Sequence, residues 1–323
     1  MIPENLTYYP DDRPGITRRR AGRGFSYRAP DGTRIEQAAE RKRIEALAVP
    51  PAYTDVWISP RKRGHLQATG IDAATRKQYR YHPDWSAFRS ALKFDDLPRF
   101  GLALPRIRAA IREGLEEEVG SRTFALSAVL GLIDRLSLRP GHPEYAETNG
   151  SFGATTLRSK HLVANDDGTE LRFRAKGGVK VSEVLSDKRL ARALHKLDDL
   201  PGAPLATWLD GETVRQITPD MVSAHLAEIT GEEGLTPKTF RTWNGSVAAM
   251  EVALRDDEVT IKDMAEAAAE RLNNTPTIAR NSYIHPDVIG LADVSASERV
   301  SFGEAGTPAR LRKAERAMLA LLG

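Results

Sequence analysis

Apolar residues along this chain follow two different periods. From about residue 88 onward they recur every three or four positions, the spacing of a helix with one buried face. The pattern predicts helices over 105–118, 121–136, 187–198, 218–230, 236–254, 261–272 and 308–322. Thr218-Pro219 and Thr236-Pro237 place a capping hydroxyl before a proline suited to the first helical turn. Thr275-Pro276 repeats the signal, and Ile278, Ala279 and Tyr283 follow at helical spacing, with Pro286 closing the segment. One β island interrupts the helices: Thr155-Thr156-Leu157, leading to His161-Leu162-Val163, then 170–175 and 179–181 around Lys176-Gly177-Gly178. Before residue 88 the pattern is different. Asp31-Gly32 reads as a hairpin turn between 25–28 and 33–35. A helix is predicted over 36–47, ended by Pro50-Pro51, then strands over 54–60 and 65–69. The polar stretch 72–81 reads as the start of a helix. The fold class is therefore α+β. A small β-rich domain over 1–87 precedes a larger, mainly helical domain over 88–323 that carries a small sheet and hairpin.

Composition narrows the chemistry. The chain has 323 residues and no cysteine, which excludes disulfides, thiol nucleophiles and thiolate metal sites and fits a reducing cytosol. It has no apolar run of about 18 residues, and residues 1–10 lack the basic end and apolar core of a secretory signal. The net charge of +3 hides an asymmetry: residues 1–90 hold 17 Lys and Arg against 10 Asp and Glu, and the rest 30 against 34. The excess sits in Arg18-Arg19-Arg20, Arg41-Lys42-Arg43, Arg61-Lys62-Arg63 and Arg76-Lys77. It reads either as a grip on a polyanion or as a solvated surface.

Four side chains in the larger domain suit phosphate chemistry. Arg139 stands where an apolar helix ends and Pro140-Gly141 forces a turn. Its planar fork can face a phosphate, or it can bond helix-end carbonyls. Lys176 sits at a hairpin tip beside two glycines that allow close backbone approach. It is either a solvated turn lysine or, among cations and partly desolvated, a proton donor. Arg241 lies between Phe240 and Trp243, so it is expected to be partly buried and to need a partner, an anion or a salt bridge. Tyr283 is either a core aromatic or a phenol nucleophile.

In order along the chain come Arg139-Pro140-Gly141, Glu144-Tyr145-Ala146, Gly153-Ala154-Thr155-Thr156-Leu157-Arg158, Phe173-Arg174-Ala175-Lys176, Phe240-Arg241-Thr242-Trp243-Asn244, and Asn274-Thr275-Pro276 through Ser282-Tyr283. No one of these is specific, but the ordered set resembles the type IB DNA topoisomerases, in particular the small poxvirus-like enzymes of bacteria. The resemblance covers nearly the whole chain. It implies that Tyr283 is the nucleophile, that Arg139 and Arg241 clamp the scissile phosphate, and that Lys176 protonates the leaving 5′ oxygen. Lys77-Gln78-Tyr79-Arg80-Tyr81 is similar to the family's DNA-contacting segment, which implies DNA contacts for Gln78, Tyr79 and Tyr81, and likewise for Tyr145. Asn274 falls where viral and eukaryotic members have histidine. An amide cannot exchange a proton near neutral pH, so there it can only donate a hydrogen bond to a phosphate oxygen. Pro140 also departs from the expected pattern and bears on how Arg139 is presented.

The resemblance further implies double-stranded DNA as substrate, a monomer clamping the duplex, and a cytoplasmic, nucleoid-associated enzyme. No nucleotide, metal or other cofactor is expected: there is no Gly-x4-Gly-Lys-[Ser/Thr] loop, and the seven histidines show no HExxH spacing. Two rivals remain. A tyrosine recombinase shares the chemistry, but its His-x-x-Arg pattern has Lys238 here in place of the histidine. A DNA-binding protein with a decayed site would lack one of the four reactive side chains.

Overall fold

The computed structural model describes all residues except Met1, Asp166, Asp167, Asp256, Ala305, Thr307 and Ala309. It is α+β, a five-stranded sheet followed by a mainly helical region with small sheets. The chain separates into two compact units, Met1–Leu92 and Lys93–Gly323, and the division falls inside the helix Pro83–Asp95.

The first unit is an antiparallel sheet in the order Gly24–Arg28, Ile16–Ala21, Thr54–Ile58, Leu66–Ile71, Lys77–Tyr81. Ile16, Tyr27, Val56, Ile58 and Ala68 pack with Ile44 of the helix Ala38–Ala46 into its core. Asp31-Gly32 does turn the chain, and Arg28 bridges Arg34, but the longer hairpin lies upstream and turns through Gly22, whose φ is 57°. The helix expected over 72–81 is instead a turn and a strand. Asp72 Oδ1 accepts from the amides of Ala74 and Arg76, closing a turn, and Lys77–Tyr81 then pairs with Leu66–Ile71. That strand is polar because it is an edge strand, which needs no apolar face of its own.

The second unit is helical around one core. The helix expected from Pro105 starts eight residues earlier, at Leu97, and runs to Gly114 with Pro105 inside it. An interior proline costs a helix roughly 3 kcal/mol. Burial of Phe100, Leu104, Ile107 and Ile111 along one face outweighs this, at about 1.5–3 kcal/mol each. Gly101 on this helix leaves the space that Trp243 fills: a Cβ there would stand 2.4 Å from the indole. Arg122–Leu136 and Pro237–Ala253 are buried on nearly every side. Thr218 and Thr275 cap as expected, each accepting a first-turn amide, and Ser121 does the same; at Thr236 the Thr239 hydroxyl instead accepts from the Thr236 amide at 3.2 Å. The last helix is Lys313–Leu322, shorter than the expected 308–322; Ala309 of that stretch lies outside the described residues. Thr155–Leu157 is a turn rather than a strand. The sheet that follows is Leu162–Asn165, Gly168–Arg174 and Lys180–Val184. A second hairpin, Thr207–Asp210 with Thr213–Gln216, and the short helices Pro143–Asn149, Pro286–Gly290 and Ala296–Phe302 were not legible in the periodicity. They are too short for a hydrophobic period to show.

Candidate active site

Three chain segments meet where the helix Arg122–Leu136 ends. Ser137 closes that helix in a left-handed conformation, φ 53°, and sends the chain through Leu138 to Arg139. The Arg139-Pro140-Gly141 corner packs against residues 153–156. Ala154 N donates to Arg139 O at 2.9 Å, and Thr155 N to Pro140 O at 2.7 Å. A proline fits this corner because only its carbonyl is used. Gly141, at φ 92°, and Gly153 stand so close that a Cβ on Gly153 would meet Arg139 O at 2.5 Å. Those two glycines therefore fix how Arg139 is presented.

Arg241 reaches the same place from the helix Pro237–Ala253. It is 4% exposed, deeper than the partial burial expected. It donates to Ser137 O in a very short hydrogen bond and to Leu272 O at 2.9 Å. Both partners are carbonyls, and among the described residues it has no ion pair. Its Nε is buried with no partner. Two residues beyond Leu272 comes Asn274, whose Oδ1 accepts from Arg139 at 3.2 Å while its Nδ2 is buried and unpartnered. Tyr283 ends the helix Pro276–Tyr283, with the Arg241 guanidinium 5.1 Å from its ring centre.

The electrostatics follow from this placement. Burial pushes the Tyr283 phenol up, but the charge and hydrogen bonding of Arg241, then of Arg139, outweigh it and hold the phenol below its usual range. Arg241 is lowered to about 10, first by burial and then by Arg139, with Tyr283 opposing. The cluster is cationic, and among the described residues neither arginine has an ion pair.

Lys176 is exposed at the tip of its hairpin, where Gly177 and Gly178 take φ of 79° and 78°. It lines one small cleft with Ser137, Arg139, Gly153 and Arg241. The hairpin is tied to the cluster through Glu183 of the strand Lys180–Val184, which accepts from Asn273 Nδ2 at 3.0 Å. Arg139, Arg241, Asn274 and Tyr283 are thus gathered, and Lys176 shares a cleft with the two arginines. Tyr145 stands apart, 48% exposed on the helix Pro143–Asn149.

In the N-terminal unit, Tyr79 and Tyr81 lie on one face of the edge strand, stacked 6.0 Å apart and 48% and 45% exposed. Gln78 is held inward by Asp72 at 3.0 Å. Two members of the basic runs are structural. Arg18 bonds the carbonyls of Val49, Pro50 and Tyr53, and Arg43 pairs with Glu40 at 2.6 Å.

Sequence reasoning missed the residues that hold this arrangement. Asn244 Nδ2 donates to Asp134 O at 3.1 Å and to Ser137 Oγ at 3.0 Å, clamping the turn that feeds Arg139. Gly245 lets the Tyr283 backbone approach, since a Cβ there would meet Tyr283 O at 2.9 Å. Ser246 Oγ donates to Tyr283 O at 3.1 Å and accepts from His285 N at 2.9 Å. The available signal was Asn244-Gly245-Ser246 in the middle of a helix buried all round, where polar groups need partners.

The chain matches two protein-family models. Residues 24–72 match the bacterial DNA topoisomerase IB N-terminal domain, and residues 82–287 match the eukaryotic DNA topoisomerase I catalytic core. It is 26% identical over 286 residues to DNA topoisomerase 1B of Acanthamoeba polyphaga mimivirus, covering 84% of this chain and 85% of that protein. It is 24% identical to DNA topoisomerase 1 of Mycosarcoma maydis over 66% of this chain, and 27% identical to that of Xenopus laevis over 55%. It spans only 22% of each of those two longer proteins. With the catalytic-core model matching well over half of its length, the chain belongs to the type IB DNA topoisomerases.

Proposed function

We propose that this enzyme relaxes supercoiled duplex DNA without ATP or metal. Tyr283 cuts one strand and holds the 3′ end. Its Oη attacks the phosphorus in line, the bond from phosphorus to the 5′ oxygen breaks, and a 3′-phosphotyrosyl link forms. The phenol proton leaves to solvent, and Lys176 gives a proton to the departing 5′ oxygen. Arg139 and Arg241 balance charge on the non-bridging oxygens, and Asn274 Nδ2 adds a neutral donor. Lys176 is exposed in the free protein; bound DNA would desolvate it. The phosphotyrosine conserves the bond energy, so the freed 5′ end rotates and then reseals by the reverse attack.

The observation that carries this reading is the set of unmet donors. Arg241 Nε and Asn274 Nδ2 are buried without acceptors, beside two guanidinium groups that have no ion pair among the described residues and a phenol held below its usual pKa. An anion with several oxygens answers all of these needs, and a phosphodiester is one. We further propose that residues 1–87 act as a DNA-clamp domain and that 88–323 form the catalytic domain. Tyr79 and Tyr81, with Gln78, contact the duplex, and so does Tyr145. The enzyme then works as a monomer in the cytoplasm, on nucleoid DNA.

The test is supercoiled plasmid incubated with the protein in EDTA without ATP. A ladder of partly relaxed topoisomers is expected, and its rate should fall steeply with salt as lysines and arginines give up phosphate contacts. Tyr283→Phe should bind the plasmid and leave it supercoiled. Binding without relaxation by the unaltered protein would reject the reading, and exchange restricted to defined paired sites would assign recombination instead.

A further inference from the structure

The helix that presents Tyr283 is only eight residues long, and Tyr283 is its last residue. Its final carbonyls have no intrahelical donors, so whatever satisfies them sets the rotation of the last turn. Two side chains do so. Ser246 Oγ donates to Tyr283 O, as described above. Lys93 Nζ, 189 positions away in sequence, donates to Ser282 O at 2.8 Å.

Lys93 is an unusual choice for that task. Its ammonium is half-buried, 4.7 Å from the centre of the Phe94 ring, and Phe94 in turn packs edge-on against His285, two residues beyond Tyr283. Among the described residues it has no ion pair. Holding an ammonium out of water without an anion is costly. In return the charge sits at the negative end of a helix and grips the carbonyl immediately before Tyr283. Burial lowers the Lys93 ammonium and the Tyr283 phenol opposes this, so the two groups also act on each other.

We infer that Lys93 is a positioning residue for strand cleavage: its ammonium, bonded to Ser282 O, fixes where Tyr283 Oη stands before Arg241 and Arg139. The inference rests on Tyr283 being the nucleophile. With the ammonium gone, the last turn loses one of its two anchors. Tyr283 would then sample orientations away from in-line attack, and a misplacement on the order of 1 Å costs about a hundredfold in rate.

The test uses the absence of native cysteine. Lys93→Cys removes the ammonium, and 2-bromoethylamine rebuilds it at that single thiol as a lysine analogue. Single-turnover cleavage of a suicide duplex, DNA affinity and thermal midpoint are measured for each form. We expect Lys93→Cys to cleave roughly 10–100-fold more slowly. Duplex affinity and thermal midpoint should stay close to those of the unaltered enzyme, and alkylation should restore most of the rate. Lys93→Gln, which keeps a neutral donor of similar reach, should fall between and serves if the cysteine variant does not fold. Unaltered cleavage by Lys93→Cys or Lys93→Gln, a loss that tracks DNA affinity or melting, or failure of alkylation to restore the rate would overturn the inference. Tyr283→Phe is run beside them. If it still forms a covalent adduct, the nucleophile assignment fails whatever Lys93 does. If it is inert while Lys93→Cys cleaves normally, only the role of Lys93 fails.

Discussion

Arg108 and Arg241 both lie largely out of solvent in the helical unit, and they are held there in opposite ways. Arg108 donates to both oxygens of Asp134, at 2.9 and 3.0 Å, and to both of Glu315, at 3.0 and 2.8 Å. Burial alone would lower it, but the two carboxylates overcome that and raise its pKa above the ordinary arginine value. The network joins the helices Leu97–Gly114, Arg122–Leu136 and Lys313–Leu322 and leaves little charge to offer. Arg241 bonds two carbonyls and the Tyr283 phenol, sits beside a second guanidinium, and is lowered to about 10. Burial of a cation therefore does not mark a functional site. What distinguishes Arg241 is that, among the described residues, none pairs with it as a counter-charge, so an incoming anion has something to meet.

The sharpest way to break this contrast is to remove each arginine in turn. Arg108→Met leaves buried Asp134 without its cation and Glu315 with Arg312 alone, and should cost about 3–5 kcal/mol of stability, read by urea unfolding. It should leave the cleavage chemistry of the surviving folded protein nearly intact. Arg241→Met should do the reverse. Single-turnover cleavage should fall by at least about a hundredfold, while stability holds or rises slightly, because an unneutralised charge has left the interior. If both variants lose stability alike, the two sites are not different in kind.

Acid should act on the first site. The Arg108 and Arg312 guanidinium groups overcome the effect of burial and hold Glu315 at about 2, against an ordinary 4.5. A depressed carboxyl stabilises the fold above its unfolded pKa and loses that contribution as pH falls towards its folded one. Roughly 3 kcal/mol should therefore disappear between pH 4.5 and 2. Urea unfolding across that range, with Glu315→Gln showing a flatter profile, checks it.

Base should act on the second site. Because the arginines outweigh burial and hold the Tyr283 phenol below 10, cleavage should rise with pH and level off before that value. Arg139→Met removes one of the cations responsible and should move the profile towards higher pH; an unmoved profile would separate Arg139 from the phenol. The smallest change is expected at Asn274→Ala. The lost donor is neutral, so the cleavage rate should drop only about tenfold, with duplex affinity nearly kept.

Much of this was legible in the chain. The threonine caps and the helices 121–136 and 261–272 could be read closely because cap chemistry and hydrophobic period agree there. The order of Arg139, Lys176, Arg241 and Tyr283 pointed to the family before any geometry was known. Other features were hidden for identifiable reasons. Lys77–Tyr81 looked unlike a strand because an edge strand carries no apolar stripe. Pro105 looked like a helix start because its cost is offset by packing that sequence does not display. Lys93, Ser246 and Asn244 serve the site through backbone carbonyls far away in sequence, and nothing local announces such a contact. Arg108 and Arg241 were indistinguishable as residues; only the position of carboxylates in space separates them.

The central claim is that the phenol of Tyr283 becomes linked to the 3′ end of the cut strand. It is tested most directly by trapping the enzyme on a suicide duplex in EDTA, digesting the adduct and sequencing the nucleotide-bearing peptide by mass spectrometry. The account predicts one modified residue, Tyr283, carrying a 3′-phosphoryl nucleotide, and no adduct from Tyr283→Phe. A modified peptide elsewhere in the chain, or an adduct that persists in Tyr283→Phe, would contradict it.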